Sequence, residues 1–238
     1  MIDLRPLVKG FISFEIDFFS GKKKLVYFSD DLSQQKVIQE WEDKIDLDEK
    51  HLLDYEPAKD FDMMEVSFDR ERIFLYKVGS QNIIEISARS KQIERIIEIP
   101  GEPIKYNTTW GRTRVESYSS RSQYTRQDKN PKFPEFFPFI RFIRATYDNK
   151  LLVRKWGINP DKVSSKDFLL FSPSGKSLLP RFMDLNTNRI KGRLGDKILV
   201  SRKGPNDEEF ALCVVDEGEL ESFIKNNPIV RDNQAVLK

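Results

Sequence analysis

An all-β fold is what this sequence predicts, and three observations carry the prediction. Short β-favouring runs recur with polar residues between them. Each run follows a charged or Gly-containing turn, as in "DNKLLVRKWG", residues 148 to 157. The pattern also repeats at a steady interval. Leu25 follows "GKKK", Ile73 follows "DRER", Leu151 follows "DNK" and Ile198 follows "GDK". Leu25 and Ile73 are 48 residues apart, and Leu151 and Ile198 are 47 apart. After each run comes a polar loop and a second apolar run: "KVIQEW", "NIIEIS", "DFLLF" and "FALCVVD". A repeat of this length with two inner strands per unit predicts a radial array, a β-propeller of four-stranded antiparallel blades.

The elements follow in order. Blade-like units are expected over 7–56, 57–105, 133–185 and 186–216, within a single domain spanning 1–238. Inner strands are expected near 24–28, 73–77, 150–155 and 197–202. "MMEVSFD" alternates Met64, Val66 and Phe68 with polar partners, the period of a half-buried strand. "QIERIIEIP" is a β-branched run through Ile93, Ile97 and Ile99, stopped by Pro100 and Gly101. Ser172-Pro173-Ser174-Gly175 has Pro second and Gly fourth, a turn that leads into "SLLPRFM". Leu152 and Leu169 are expected in the core of one blade. Ile73 and Leu151 lie 78 residues apart, one unit plus roughly 30 residues of the size that maps to a loop. That surplus is a basic insertion at 106–132. Helical patterning is confined to two stretches. Residues 33–45 read as a short helix or, through Val37, Ile38 and Trp41, as a strand. Residues 217–227 read as a helix opening a C-terminal tail at 217–238.

Composition bounds the function. Of the 238 residues, 39% are hydrophobic and 33% charged, enough apolar mass for a core. The net charge of +2 argues against a bulk nucleic-acid binder and leaves room for a local patch. One cysteine, Cys213, excludes an intramolecular disulfide and a cysteine-rich metal site. It lies in the apolar "FALCVVD" and reads as a buried small hydrophobe. No segment approaches the ~18 apolar residues of a membrane helix. The N-terminus does not read as a signal peptide, because Asp3, Glu15 and Asp17 break its apolar positions.

Several stretches carry a family resemblance. "FPEFFPFIRFIRATYDNKLLVRKW" (133–156), "FLLFSPSGKSLLP" (168–180), "RLGDKILVSRKGPNDEEFALCVVD" (193–216) and "RIFLYKVGSQNIIEISARSKQIERIIEIPGEP" (72–103) resemble the bacterial six-bladed β-propeller proteins related to the NHL-repeat group. In that family's hairpins an Asp is typical where Ser172 stands here. The resemblance covers about two thirds of the chain and implies a partial or truncated six-bladed ring, since six blades need roughly 250 residues or more. A fragment of a longer chain, an internal start, or an incomplete ring are the three readings. The resemblance places a truncated parent in the periplasm or cell envelope; without truncation the chain is expected in the cytoplasm.

Candidate chemistry is concentrated in one segment. Residues 107–132 interleave Trp110, Tyr118 and Tyr124 with Arg112, Arg114, Arg121 and Arg126, opposed only by Glu116 and Asp128. Rings that stack and guanidinium groups that pair with phosphate, sulfate or carboxylate suit an anionic glycan or single-stranded nucleic acid. A polar loop explains the same composition. Propeller hydrolases of the lactonase kind hold calcium on acidic and amide oxygens; Glu65, Asp69, Asp148 and Asn149 are the candidates here, although turn chemistry accounts for the last two. A histidine-rich zinc site is excluded, because His51 is the single histidine. Phe133, Phe136, Phe137, Phe139, Phe142 and Trp156 either line a pocket or fill the space between blades. No Gly-rich phosphate loop, nucleophile elbow or HExxH is present. Two classes follow: a non-catalytic binding or scaffold module that contacts a protein, peptide or glycan and needs no cofactor, or a propeller hydrolase or lyase with an acidic calcium site.

Overall fold

The computed structural model describes residues 2–17, 22–42, 62–109, 111, 135–136, 139–156, 164–186, 189–195, 197–203 and 210–227. The chain is all-β, with four antiparallel sheets whose strands pair in sequence order. The first sheet holds β1 (Ile2–Pro6), β2 (Phe11–Ile16), β3 (Lys22–Phe28) and β4 (Gln35–Glu42). The second holds β5 (Met63–Val66), β6 (Arg72–Tyr76), β7 (Asn82–Ser87) and β8 (Ile93–Glu98). The third holds β9 (Ile140–Ala145), β10 (Leu151–Lys155), β11 (Phe168–Phe171) and β12 (Ser177–Leu178). The fourth has three strands, β13 (Ile190–Leu194), β14 (Lys197–Lys203) and β15 (Phe210–Asp216). Two short helices follow the third and fourth sheets, α1 (Phe182–Leu185) and α2 (Leu220–Asn226). The chain divides into two compact units, Met1–Arg141 and Phe142–Lys238.

All four expected inner strands are present. The stretch 33–45, ambiguous in sequence, is a strand over Gln35–Glu42, because the Ser29 turn folds it back onto β3. Residues 217–227 hold a 3-10 turn and then α2, as the pattern predicts. One core assignment needs correction. Leu152 is buried, but Leu169 is only half-buried, and it is Leu170 that pairs with Leu152 and lies in the core. "FLLF" has no alternation, so its faces were not readable from sequence.

A shared turn closes four of the hairpins. A Ser or Thr begins each, and the residue three positions later adopts a left-handed backbone: Leu32 (φ 60), Arg70 (φ 63), Asn149 (φ 61) and Gly175 (φ 82). Each of these donates its N–H to the carbonyl of Ser29, Ser67, Thr146 or Ser172 at 2.8–3.0 Å. The hydroxyl oxygen accepts a backbone N–H from Gln34, Arg72, Lys150 or Lys176. In three of the turns the hydroxyl then donates to an aspartate two residues on: Asp31, Asp69 or Asp148. In the fourth, Ser174 takes that place, 2.9 Å from the Ser172 hydroxyl. In an up-and-down sheet the first and third hairpins share an end, so each turn of this kind lies at the same end of its own sheet.

The Asp31 carboxyl accepts bonds from the Ser29 hydroxyl and from the Ser33 N–H and hydroxyl, which hold its pKa at about 2. Carboxyl-carbon NMR titration should show this group ionised well below the ordinary aspartate value of about 4. The turn's contribution is thus present above that ordinary value and lost as pH falls toward 2. A midpoint at the ordinary value would show that the turn does not hold in solution.

The core of the first unit forms between the facing sides of its two sheets. Ile12, Phe14 and Leu25 of the first sheet meet Met64, Ile73, Leu75 and Ile86 of the second, with Trp41 and Tyr27 against the rim. Val8 N–H, in the β1–β2 turn, donates to the carbonyl of Arg70, in the β5–β6 turn, so these turns lie side by side. Ile73, Phe74, Leu75 and Tyr76 are all buried, as are Leu151, Leu152 and Val153. Because side chains alternate along a strand, such runs mean that β6 and β10 are covered on both faces.

Candidate binding site on the fourth sheet

The arginine-aromatic candidates Trp110, Arg112, Arg114, Tyr118, Arg121, Tyr124 and Arg126 lie outside the described residues, as does His51. The base of that segment is described. Lys105 and Phe136 form an antiparallel bridge, and Tyr106 N–H donates to the Glu135 carbonyl at 2.9 Å. The chain therefore leaves and returns at one place.

Of the calcium candidates, Asp69 and Asp148 are engaged by their own turns, and Asn149 supplies a left-handed backbone. Glu65 lies in mid-strand on β5. Among the described residues no group of three His, Cys, Asp or Glu side chains is placed to hold a metal ion. The aromatics divide. Phe139 and Trp156 are buried, and Phe142 packs edge-on against Phe168 at 6.1 Å. Phe136 is exposed, and Phe133 and Phe137 lie outside the described residues. Cys213, expected buried, is half-buried because β15 is an edge strand.

That edge is the feature the sequence reading passed over. Exposed strand edges are templates for pairing, and proteins blunt them with charge or with brevity. The last strands of the other sheets follow this rule. β4 carries Lys36, Glu40 and Glu42, β8 carries Glu94, Arg95 and Glu98, and β12 is two residues long. β15 is seven residues long and has no charge between Phe210 and Val215. Among the described residues its pairing partner in the sheet is β14 alone. Leu212 is 62% exposed and Val214 54%, on the face they share with Leu199 of β14, while Val215 on the other face is buried.

A groove lies between β15 and helix α2. The groove has a volume of about 400 Å³ and is lined by Val214, Val215 and Asp216 of β15 and its end, and by Glu219, Ser222, Phe223, Asn226 and Asn227. Leu220 and Ile224 are the buried face of α2. Arg189 fixes the far end of the helix. Its buried guanidinium donates to the Ile224 carbonyl at 3.1 Å and to the Ser201 carbonyl at 3.3 Å. A cation suits the C-terminal end of a helix, where carbonyls lack intrahelical donors. Arg189→Ala should cost about 1–3 kcal/mol, the penalty for buried carbonyls left without these donors. Chemical denaturation checks it, and a change under half of one kcal/mol would show that α2 holds without this clasp.

A polar cluster lies within electrostatic reach of Glu217 and Glu221. Arg181 lies 3.4 Å from Asp148 through Nη2 and 3.4 Å from Asp184 through Nε. Asp184 also accepts the Arg181 backbone N–H at 2.8 Å, which caps the start of α1. Burial pushes the Tyr147 phenol above its usual value, with the charge of Asp148 adding and that of Arg181 opposing, so it stays protonated and able to donate. Burial also raises Asp148, but bonds from Lys150 and Thr146 outweigh it and hold the carboxyl below its ordinary value. Signs are balanced around Arg181, so this cluster reads as a brace between the β9–β10 turn and α1.

No family model matches the chain, and no curated protein matches it. Among solved structures it is similar to the acylaminoacyl peptidase of Pyrococcus horikoshii in its orthorhombic crystal form. That similarity has 12% identity and a TM-score of 0.36, over 90% of this chain and 30% of that one. It is also similar to TolB from Acinetobacter baumannii, with 11% identity and a TM-score of 0.30, over 88% of this chain and 52% of that one. The chain thus spans about a third and about half of the lengths of these two proteins. No helix among the described residues is long and apolar enough to cross a membrane.

Proposed function

We propose that this chain is a non-catalytic binding module of the β-propeller type whose partner is a protein or peptide, taken at the edge of the fourth sheet. One observation carries the reading: β15 is a seven-residue edge strand among the described residues and is uncharged from Phe210 to Val215, whereas β4, β8 and β12 are blunted by charge or brevity. Leaving such an edge open invites aggregation unless something pairs with it. Strand addition is a recurring mode of peptide recognition, with main-chain bonds supplying affinity and side-chain pockets supplying selectivity. The groove beside β15 has the volume of an ordinary ligand pocket and mixes apolar walls with amides and hydroxyls. The propeller assignment is supported by the sequence-order pairing in all four sheets and by the two-sided burial of β6 and β10.

Panning a displayed library of random peptides against the whole chain tests the proposal. Enriched peptides should shift the backbone amide resonances of Ala211–Asp216 and should lose binding to Val214→Arg. A library that yields no specific binder, or binders indifferent to Val214→Arg, would overturn it.

A further inference from the structure

Resting on that reading, we infer that the segment received by β15 is extended, apolar at alternate positions, antiparallel to β15, and led at its N-terminal end by lysine or arginine. Direction comes from the sheets, since every neighbouring pair of strands in the chain is antiparallel. An added antiparallel strand begins opposite the end of β15, at Asp216. The alternation follows from Leu212 and Val214, which offer their side chains on one face only.

The charge follows from the walls at that end. Asp216 and Glu219 line the groove, and among the described residues no cationic side chain does. Asp216, Glu217, Glu219 and Glu221 fall within six residues. The cations near them are Lys197, bonded to Asp216, and Lys225, 2.9 Å from Glu221, with Arg181 also felt by Glu221. Toward the other end, Arg202 of β14 stands opposite Ala211. An ammonium or guanidinium group is therefore drawn to the α2 end of the edge, which sets polarity as well as register.

Three synthetic peptides separate the possibilities by titration calorimetry with the whole chain. One leads with two lysines before alternating valine and threonine; the second has the same composition reversed; the third replaces the lysines by glutamate. The first should bind about tenfold or more tightly than either of the others, the worth of a single good charge contact. The preference should shrink at high salt, and Glu219→Lys should abolish it while Ala211–Asp216 amides still shift. Equal binding of all three would overturn the inference and leave peptide binding at β15 intact. Binding that leaves those amides unmoved would overturn both. A dimer in light scattering, lost in Val214→Arg, would assign the edge to a second copy. Exchange-protected β15 edge amides in a monomer, with no peptide bound, would assign it to the chain's own residues; either result overturns the inference.

Discussion

Asp62→Ala should destabilise the protein by about 3–5 kcal/mol, the usual result of removing one member of a buried ion pair. The Asp62 side chain is fully buried, and one oxygen lies 2.8 Å from Lys23 Nζ, itself almost buried. The same oxygen accepts the indole N–H of Trp41 at 2.8 Å, and the other accepts the Val78 N–H. Lys77 lies over the Trp41 ring at 4.4 Å; burial lowers its pKa, and the Asp62 charge opposes that. One carboxylate thus joins β3 and β4 of the first sheet to the β6–β7 turn of the second. Alanine leaves a buried ammonium without this counter-charge and an indole N–H without this acceptor. Urea denaturation should show the midpoint falling with an unchanged slope. Pairing Asp62→Leu with Lys23→Met should recover part of the loss, because it removes the uncompensated ammonium while leaving the Trp41 and Val78 N–H groups without this acceptor. A loss under one kcal/mol in Asp62→Ala would mean that water reaches the pair.

Leu152→Ala should cost about 2–5 kcal/mol, since its neighbours on β10 are buried and cannot collapse into the space. Leu169→Ala supplies the contrast. It pairs with Val153 but is itself only half-buried, and should cost less than half as much. Equal losses would show that the register of β10 on β11 differs from the one described here, since a one-residue slip exchanges the two faces.

Strand positions were legible in the sequence because the turns are. Charged or Gly-containing turns precede the apolar runs at Leu25, Ile73, Leu151 and Ile198, and each such signal is local. What was not legible depends on partners distant along the chain. Nothing near Asp62 in sequence announces Lys23 or Trp41. "FLLF" is apolar at every position, so its two faces separate only once β10 is placed beside it. Val37, Ile38 and Trp41 satisfy helix and strand spacing alike, and pairing with β3 decides between them. The open edge did leave a trace, the uncharged run from Phe210 to Val215. Its meaning depends on comparison with β4 and β8, which requires knowing that all three end their sheets. The basic 107–132 segment is conspicuous in composition, but the described residues locate only its base.

Pairing of every strand with its sequence neighbour bears on how the chain is made. A sheet whose strands pair only with their sequence neighbours keeps its contacts local, so each ladder can form before distant residues meet, and loop-closure entropy is met in small steps. As the chain leaves the ribosome, a sheet can assemble as soon as its last hairpin emerges, and the face-to-face core between the first two sheets can close afterwards. The same locality lets a whole sheet be gained or lost by duplication or deletion without rethreading the others, with one consequence for solubility: each sheet must manage its own outermost strand.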